Sequence, residues 1–501
     1  MSRDLDRRDR PCEPEGGPPS FDEILVEQLK RAPWFVCSLV FHALVFLVIS
    51  TLLVDAPPSE ANAVVRADVV DRPHEEFEDV DPEVDEPDPE ELPEPDVTLT
   101  ESPETPDEFP DDAAMPDDES LADSPFELKA TSPLIGGPGG AGSFFGDRRG
   151  GPRRKGGGER AERAVTWGLD WLARHQSEDG SWDSDGFQAR CRGNVCEGKG
   201  HPLYDAGLSG IALLAFLGAG HTHVRGEYRD TVRNGLRYLT TIQDPEGCFG
   251  IRSAPNFTYG HAICTLAMTE AYGLTRFPLF ERPAERGLDF IERCRNPYSA
   301  WRYGVAPGDD DTSVTGWMVM ALKSAEGAGL KVDPTALSGA RAFFDSVTDE
   351  NGRVGYTRRG NGPVRIEGKD AEFPAEHSEA LTAVGVVSRV FLKEDPATSE
   401  KIQLGADLLA RCLPAWEPEK LEFYYWYYGT LAMHQVGGPR FDRWNKAMQA
   451  AVIETQVKDG DAKGSWPPAD AWGEEGGRVY STALLTLCLE VYYRYPRVFG
   501  G

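Results

Sequence analysis

Strand-type alternation is nearly absent from this chain of 501 residues, which argues against a layered α/β fold. Cysteine is sparse: nine residues are scattered along the chain, with no C-x-x-C pair and matching partner. The spacing therefore indicates no zinc framework, no other metal site and no cofactor. Clustered basic residues are confined to Arg148-Arg149 and Arg153-Arg154-Lys155, inside a glycine-rich stretch that reads as a hinge. A nucleic-acid partner is excluded on that count. What is abundant is acid. The net charge is −31, and the segment from Asp55 to Ala130 holds 28 acids against 3 bases, about −25 by itself. The remainder of the chain is close to balanced.

Four regions follow from composition. Residues 1–33 form a basic N-terminal segment. Residues 34–54 carry no charge, and their number is the length one helix needs to cross roughly 30 Å of hydrocarbon. Arg3, Arg7, Arg8, Arg10, Lys30 and Arg31 precede this stretch and acids follow it. The positive-inside rule then places the N-terminus in the cytoplasm and the rest outside an inner (cell) membrane, in a periplasm-like compartment. The alternative is a cleaved signal peptide with Ala61-Asn62-Ala63 as its site, but signal h-regions are shorter, about 7–15 residues. Residues 55–159 are first acidic and proline-rich, too charged and too poor in aromatics to offset chain entropy, then glycine-rich from Gly136 to Gly158; they read as a disordered linker. Residues 160–501 form the folded part.

Within the apolar segment, Ser38 and His42 are four residues apart and share one helix face. Polar side chains at membrane depth are costly and turn towards a partner. Ser38-x-x-x-His42 followed by an acidic proline-rich stretch resembles the N-terminal anchor of TonB-type energy-transducing proteins, and the resemblance implies contact with a proton-driven membrane motor complex. No TonB-like C-terminal domain is evident.

In the folded part a helix-period segment runs into a turn and then into a more apolar helix-period segment, six times. The first members are Ala161–His175, Tyr228–Ile242, Ala284–Cys294, Ala336–Val347, Ser399–Cys412 and Asp442–Val457. Their partners are Asp205–Gly218, Tyr259–Leu274, Thr312–Ala328, Ala375–Leu392, Phe423–Gln435 and Val479–Tyr495. Partner helices are rich in Ala, Gly and Leu, which suits packing on both sides, so they should form an inner ring. Repeats of this kind mean stacked units, because one helix pair cannot bury its own apolar face.

The turns carry a motif. Gln176 to Trp182 and Gln243 to Phe249 both read Q-x-x-x-G-x-[W/F], and Gln456 recurs with an insertion before Gly464-Ser465-Trp466. Glycine permits the left-handed backbone that ends a helix, the Gln amide can satisfy orphan carbonyls, and the aromatic packs across to the next pair. The third to fifth units depart from the motif at Asn296–Trp301, Thr348–Gly355 and Pro414–Pro418. Six pairs with these turns resemble the prenyltransferase and squalene-cyclase repeat superfamily. The resemblance implies an all-α fold, an α6/α6 toroid of six outer and six inner helices around a central cavity.

The superfamily's activities are tested one by one. A complement-type thioester would need Cys-Gly-Glu-Gln, which is absent. A prenyltransferase holds zinc with an Asp-x-Cys pair and a late His, where this chain offers Tyr480-Ser481-Thr482. Gly308-Asp309-Asp310-Asp311-Thr312-Ser313 looks like the Asp-x-Asp-Asp-Thr-Ala motif of squalene-hopene-type cyclases. That likeness maps the alkene-protonating acid to Asp310 and its neighbour to Asp311, with Asp309 beside them, while the motif's first Asp falls on Gly308. The same residues are also good helix N-caps. Trp317, Tyr424, Tyr425, Trp426 and Tyr428 are candidate cavity aromatics, able to face a carbocation or simply fill a core.

His221-Thr222-His223 reads as an exposed loop, and His261 and His377 stand near inner-helix starts, facing the cavity or capping. Cys191 and Cys196 close a short loop, compatible with a disulfide or with two free thiols. The leading functional expectation is a membrane-anchored, extracytoplasmic toroid that binds an isoprenoid or protein ligand in its cavity. The alternatives are a class II terpene cyclase using Asp310 and a component coupled to a TonB-type motor through Ser38 and His42.

Overall fold

The computed structural model describes residues 157–494 and 497–499. The expected membrane span at 34–54, its Ser38 and His42, and nearly all of the linker lie outside the described residues. No helix among the described residues is long and apolar enough to cross a membrane.

Twelve α-helices make up the described residues, with short 3₁₀ turns and two isolated β-bridges but no strands among them. They are α1 (Glu159–Arg174), α2 (Asp205–Gly218), α3 (Arg229–Thr241), α4 (Phe257–Thr275), α5 (Pro278–Cys294), α6 (Thr312–Gly327), α7 (Pro334–Val347), α8 (Ala380–Phe391), α9 (Glu400–Leu409), α10 (Phe423–Val436), α11 (Gly438–Thr455) and α12 (Gly473–Arg494). The even-numbered helices pack in order, α2 on α4, α4 on α6, α6 on α8, α8 on α10 and α10 on α12, and α12 packs back on α2. Each odd-numbered helix lies on even-numbered neighbours, and α11 also touches α1.

The two sets differ for a sequence reason. Helix α1 buries Ala161, Ala164, Val165, Leu169, Trp171 and Leu172, one stripe at helical spacing, and turns its charges to solvent. Helix α2 buries every residue from Gly207 to Gly218, as expected of a helix apolar on all sides. Close approach between inner helices depends on glycine: a Cβ on Gly207 would press on Gly260 of α4, and one on Gly210 on Ile263 and Cys264.

The helix ends correct several expectations. Helix α5 starts at Pro278, six residues before Ala284, because Pro283 sits inside the helix instead of opening it. Helix α11 starts at Gly438 with a proline in its first turn, a position where the missing N–H costs nothing. The stretch expected to begin at Ala375 opens as a separate 3₁₀ turn, Ala375–His377, before α8. Helix α12 is broken at Gly477 (φ 64°), where the chain passes against Lys199 and Gly200 too closely for a side chain.

The glutamine turns of the first, second and sixth units each tie their unit to the next. Gln176 Nε2 donates to its own turn at Gly180 O (2.9 Å) and to Thr231 O of α3 (3.0 Å). Gln243 donates to Gly247 O (3.1 Å) and Pro283 O of α5 (2.9 Å). Gln456 does the same for Gly464 O (2.9 Å) and Ala164 O of α1 (2.8 Å), so the last unit ties to the first.

Candidate functional site

Each even-numbered helix lends its first turns to one cavity of about 530 Å³. Gly207 and Ile211 come from α2, Tyr259 and Ile263 from α4, Ser313 and Trp317 from α6, Ala380 and Leu381 from α8, Tyr424 from α10, and Tyr480 and Leu484 from α12. Loops and short 3₁₀ turns add Leu203, Tyr204, Arg302, Tyr303, Tyr356, Arg365 and Glu422, and the first turn of α12 adds Glu475. The wall is mainly aliphatic and aromatic, the usual make-up of a small-molecule site.

Beside Arg302, Glu475 and Asn256, its polar groups are paired hydroxyls and one buried ion pair. Ser313 Oγ bonds the hydroxyls of Tyr259 and Tyr424, the latter at 2.9 Å, and the Tyr303 and Tyr356 hydroxyls meet at 2.8 Å. Burial pushes the Tyr259, Tyr303 and Tyr424 phenols up and Tyr356 to about 12, so all four stay protonated as hydrogen-bonding groups near neutral pH. Arg365 holds Glu422 in a buried fork, Nη2 to Oε2 at 2.8 Å and Nη1 to Oε1 at 3.2 Å. Asp470 lies one contact further out, accepting from Phe423 N (2.8 Å) and Tyr480 Oη (3.2 Å). Burial, against the pull of those donors, raises its carboxyl to about 7.

The three candidate aspartates have three different fates. Asp309 is exposed and pairs with Arg302. Asp310 is saturated: Oδ1 accepts from Asn296 Nδ2 (2.7 Å) and Ala300 N (3.2 Å), and Oδ2 from the Ser299 hydroxyl. Asp311 is fully buried and caps α6, with Oδ1 accepting from Val314 N at 2.7 Å. Its Oδ2 has no hydrogen-bond partner, and Arg302 Nε stands 4.0 Å away. Burial raises the Asp311 carboxyl to about 7, although the Val314 N–H and Arg302 oppose the shift. Burial thus makes Asp311 the carboxyl of the run with a raised affinity for its proton, while the family likeness points to Asp310. None of the three lines the cavity, whereas Arg302 and Tyr303 beside them do.

The aromatic candidates also divide. Trp317 and Tyr424 line the cavity. Tyr425 points away and donates to Cys412 O (2.7 Å), Trp426 packs on Trp416 and Phe423, and Tyr428 lies behind Trp317. Six consecutive aromatics on a helix turn through about 100° per residue, so only one face of the run meets the cavity. His221 and His223 are buried, not the exposed loop their sequence suggested. His221 packs edge-on to Tyr228, while His223 sits among Phe277 and Phe280, where burial lowers it to about 4. His261 is structural, taking Phe249 N at Nδ1 (3.1 Å) and facing Gly287 O with Nε2 (3.1 Å). His377 is exposed, 3.7 Å from Glu419.

One cluster escaped the sequence reading. His175, at the end of α1, meets Cys191 and Cys196, both free thiols, and the three ligand-type atoms lie within 4.8 Å of one another. The available signal was the Cys-x-x-x-x-Cys loop shortly after a histidine, a spacing outside the C-x-x-C patterns.

No family model matches the chain, and no curated relative does. Among solved structures the chain is similar to the type II terpene cyclase MstE from Scytonema (10% identity, 67% of this chain and 97% of that one, TM-score 0.43). It is similar also to the GH76A α-1,6-mannanase from Salegentibacter sp. HEL1_6 (14%, 67% and 98%, TM-score 0.44) and to an α-amylase from Clostridium perfringens (11%, 66% and 97%, TM-score 0.44). At these identities and TM-scores the likeness carries nothing about substrate or reaction.

Proposed function

We propose that residues 160–501 are an α6/α6 toroid of the terpenoid-cyclase kind that works as a binding module, held outside the membrane by the anchor at 34–54 and the acidic linker at 55–159. The ligand it fits is elongated and mainly apolar, with a hydroxyl or similar polar end: an isoprenoid alcohol, or an apolar segment of a protein. The cavity carries this reading. Its walls are largely aliphatic and aromatic, and its polar groups are mostly hydroxyls already bonded to one another and the satisfied Arg365–Glu422 pair, with Arg302 and Glu475 at the wall besides. Such groups can orient a polar end of the ligand.

A class II cyclase is favoured by one observation only, the buried Asp311, whose carboxyl burial raises to about 7. Against it, Asp310 is saturated by donors and no carboxyl of the run lines the cavity. Coupling to a membrane motor rests on Ser38 and His42 alone.

The test is to titrate the full chain, in detergent, with farnesol, geranylgeraniol and squalene while following tryptophan fluorescence, and then to analyse the lipids recovered. The proposal expects saturable binding that Ile211→Trp abolishes by filling the cavity, with each lipid recovered unchanged. Cyclised product would establish the cyclase instead, and binding indifferent to Ile211→Trp would remove the cavity from the account.

A further inference from the structure

The cluster at the end of α1 has the arrangement of a metal site in advance of any metal. His175 Nε2 lies 3.6 Å from Cys191 Sγ and 3.7 Å from Cys196 Sγ. Tetrahedral zinc, with Zn–S about 2.3 Å and Zn–N about 2.0 Å, separates such atoms by about 3.5 Å. The imidazole is oriented for the task. Nδ1 donates to Trp171 O at 2.8 Å, which leaves the lone pair of Nε2 towards the sulfurs, and the ring is stacked on Trp171 at 4.2 Å. A backbone carbonyl on the far nitrogen is the usual outer partner of a metal-binding histidine.

The thiols are held as firmly. Cys196 N donates to Cys191 Sγ at 3.3 Å, and the Gln188 amide donates to Cys196 O. Asp461, in the turn before α12, accepts from Arg192 N (2.9 Å) and Gly193 N (2.5 Å) at the loop's tip. The same stretch of chain meets α12 again, where His201 N donates to Glu475 O and Arg478 N to Gly198 O, both at 2.8 Å. It then supplies Leu203 and Tyr204 to the cavity wall.

We propose that His175, Cys191 and Cys196 bind a soft divalent cation of the zinc type, and that the metal pins the loop of the first unit in the position from which it contacts Asp461 and α12 of the last unit, beside the cavity rim. Two thiolates and a neutral imidazole balance the charge of the ion, and binding releases two thiol protons to solvent. Three protein ligands leave a fourth position for water, the number found in Cys2His zinc centres. Although the coordination is open, none of the three side chains lines the cavity, so the role assigned is to hold the loop.

Cobalt(II) added to the full-length protein under reducing conditions tests this directly, since cobalt in such a site gives tetrahedral ligand-field bands and a thiolate-to-cobalt charge-transfer band. The expected result is one cobalt per chain, displaced by zinc, with charge-transfer intensity falling by about half in Cys191→Ser as one of two thiolates is lost. Zinc should also raise the Tm of the wild type, and chelation should reverse the rise. Protein isolated without reductant supplies the second arm. The proposal expects the Cys191 and Cys196 thiols to become reactive when a chelator is added, and thiols released only by a reductant would show a disulfide and overturn it. So would the absence of a charge-transfer band in reduced wild-type protein, an outcome that needs no variant to fold.

Discussion

The turns of the first and third units occupy equivalent places and do different work. In the first, Gln176 joins its own turn to α3, and Gly180 (φ 94°) lies so close to Asn234 that a Cβ would strike that carbonyl. In the third, Trp301 is kept and its indole still donates to Ile291 O (2.8 Å), as that of Trp182 does to Leu172 O (2.8 Å). Arg295 stands in the glutamine's place and reaches Asp333 and Thr335 at the start of α7. Ser299 takes the place of the glycine, and the close approach survives because α7 supplies Gly339 against the Ser299 carbonyl. The freed positions hold acid: Asn296 and Ser299 bind Asp310 and so set the loop leading to Asp311. One contact surface thus admits two chemistries, a fastening and a platform for carboxylates, provided that one partner at the crossing lacks a Cβ.

That contrast can be broken most forcefully at the fastening. Gly464 (φ 94°) faces the Trp167 carbonyl where the sixth unit meets α1. Gly464→Ala should cost about 2–5 kcal/mol, from a left-handed backbone and a steric clash together, read as a lower urea midpoint. Next comes the platform. The unfolded Asp311 releases its proton near the ordinary value of 3.8 and the folded one near 7, so between these values the folded state binds more protons. The stability this group contributes is full below about pH 4 and declines as pH rises to about 7. Asp311→Asn keeps an oxygen for the Val314 N–H and should remove up to about 4 kcal/mol of that slope, measured as Tm against pH. A smaller effect is expected of Gln456→Leu, which deletes two amide bonds to buried carbonyls at about 1–3 kcal/mol in calorimetry. Removing the exposed Arg160–Glu454 pair, also between the first and last units, should leave Tm unchanged in Glu454→Gln.

The sequence made the helical plan legible because helix period, apolar inner helices and the glutamine turns all agreed. It misjudged α5, since a proline within a helix reads as its border, and Pro283 in fact offers its carbonyl to Gln243. The acid run was visible as a motif and as a cap. Which of its members would be buried was not, because that depends on Asn296, Ser299 and Arg302 closing around Asp309 and Asp310 from an earlier turn. The cavity wall was half legible: Trp317 and Tyr424 were named, but the phenols of Tyr259, Tyr303 and Tyr356 arrive from separate units and carry no shared motif. The His175–Cys191–Cys196 cluster was hidden for a similar reason, one ligand ending a helix and two bracketing a loop.

Photo-crosslinking offers the most direct examination of the central claim that the cavity is the working site. A diazirine-bearing farnesol, irradiated with the full chain and mapped by peptide mass spectrometry, should mark Ile211, Ile263, Trp317 or Leu381, with labelling suppressed by excess geranylgeraniol. Labelling confined to other surfaces, or insensitive to the competitor, would contradict the account.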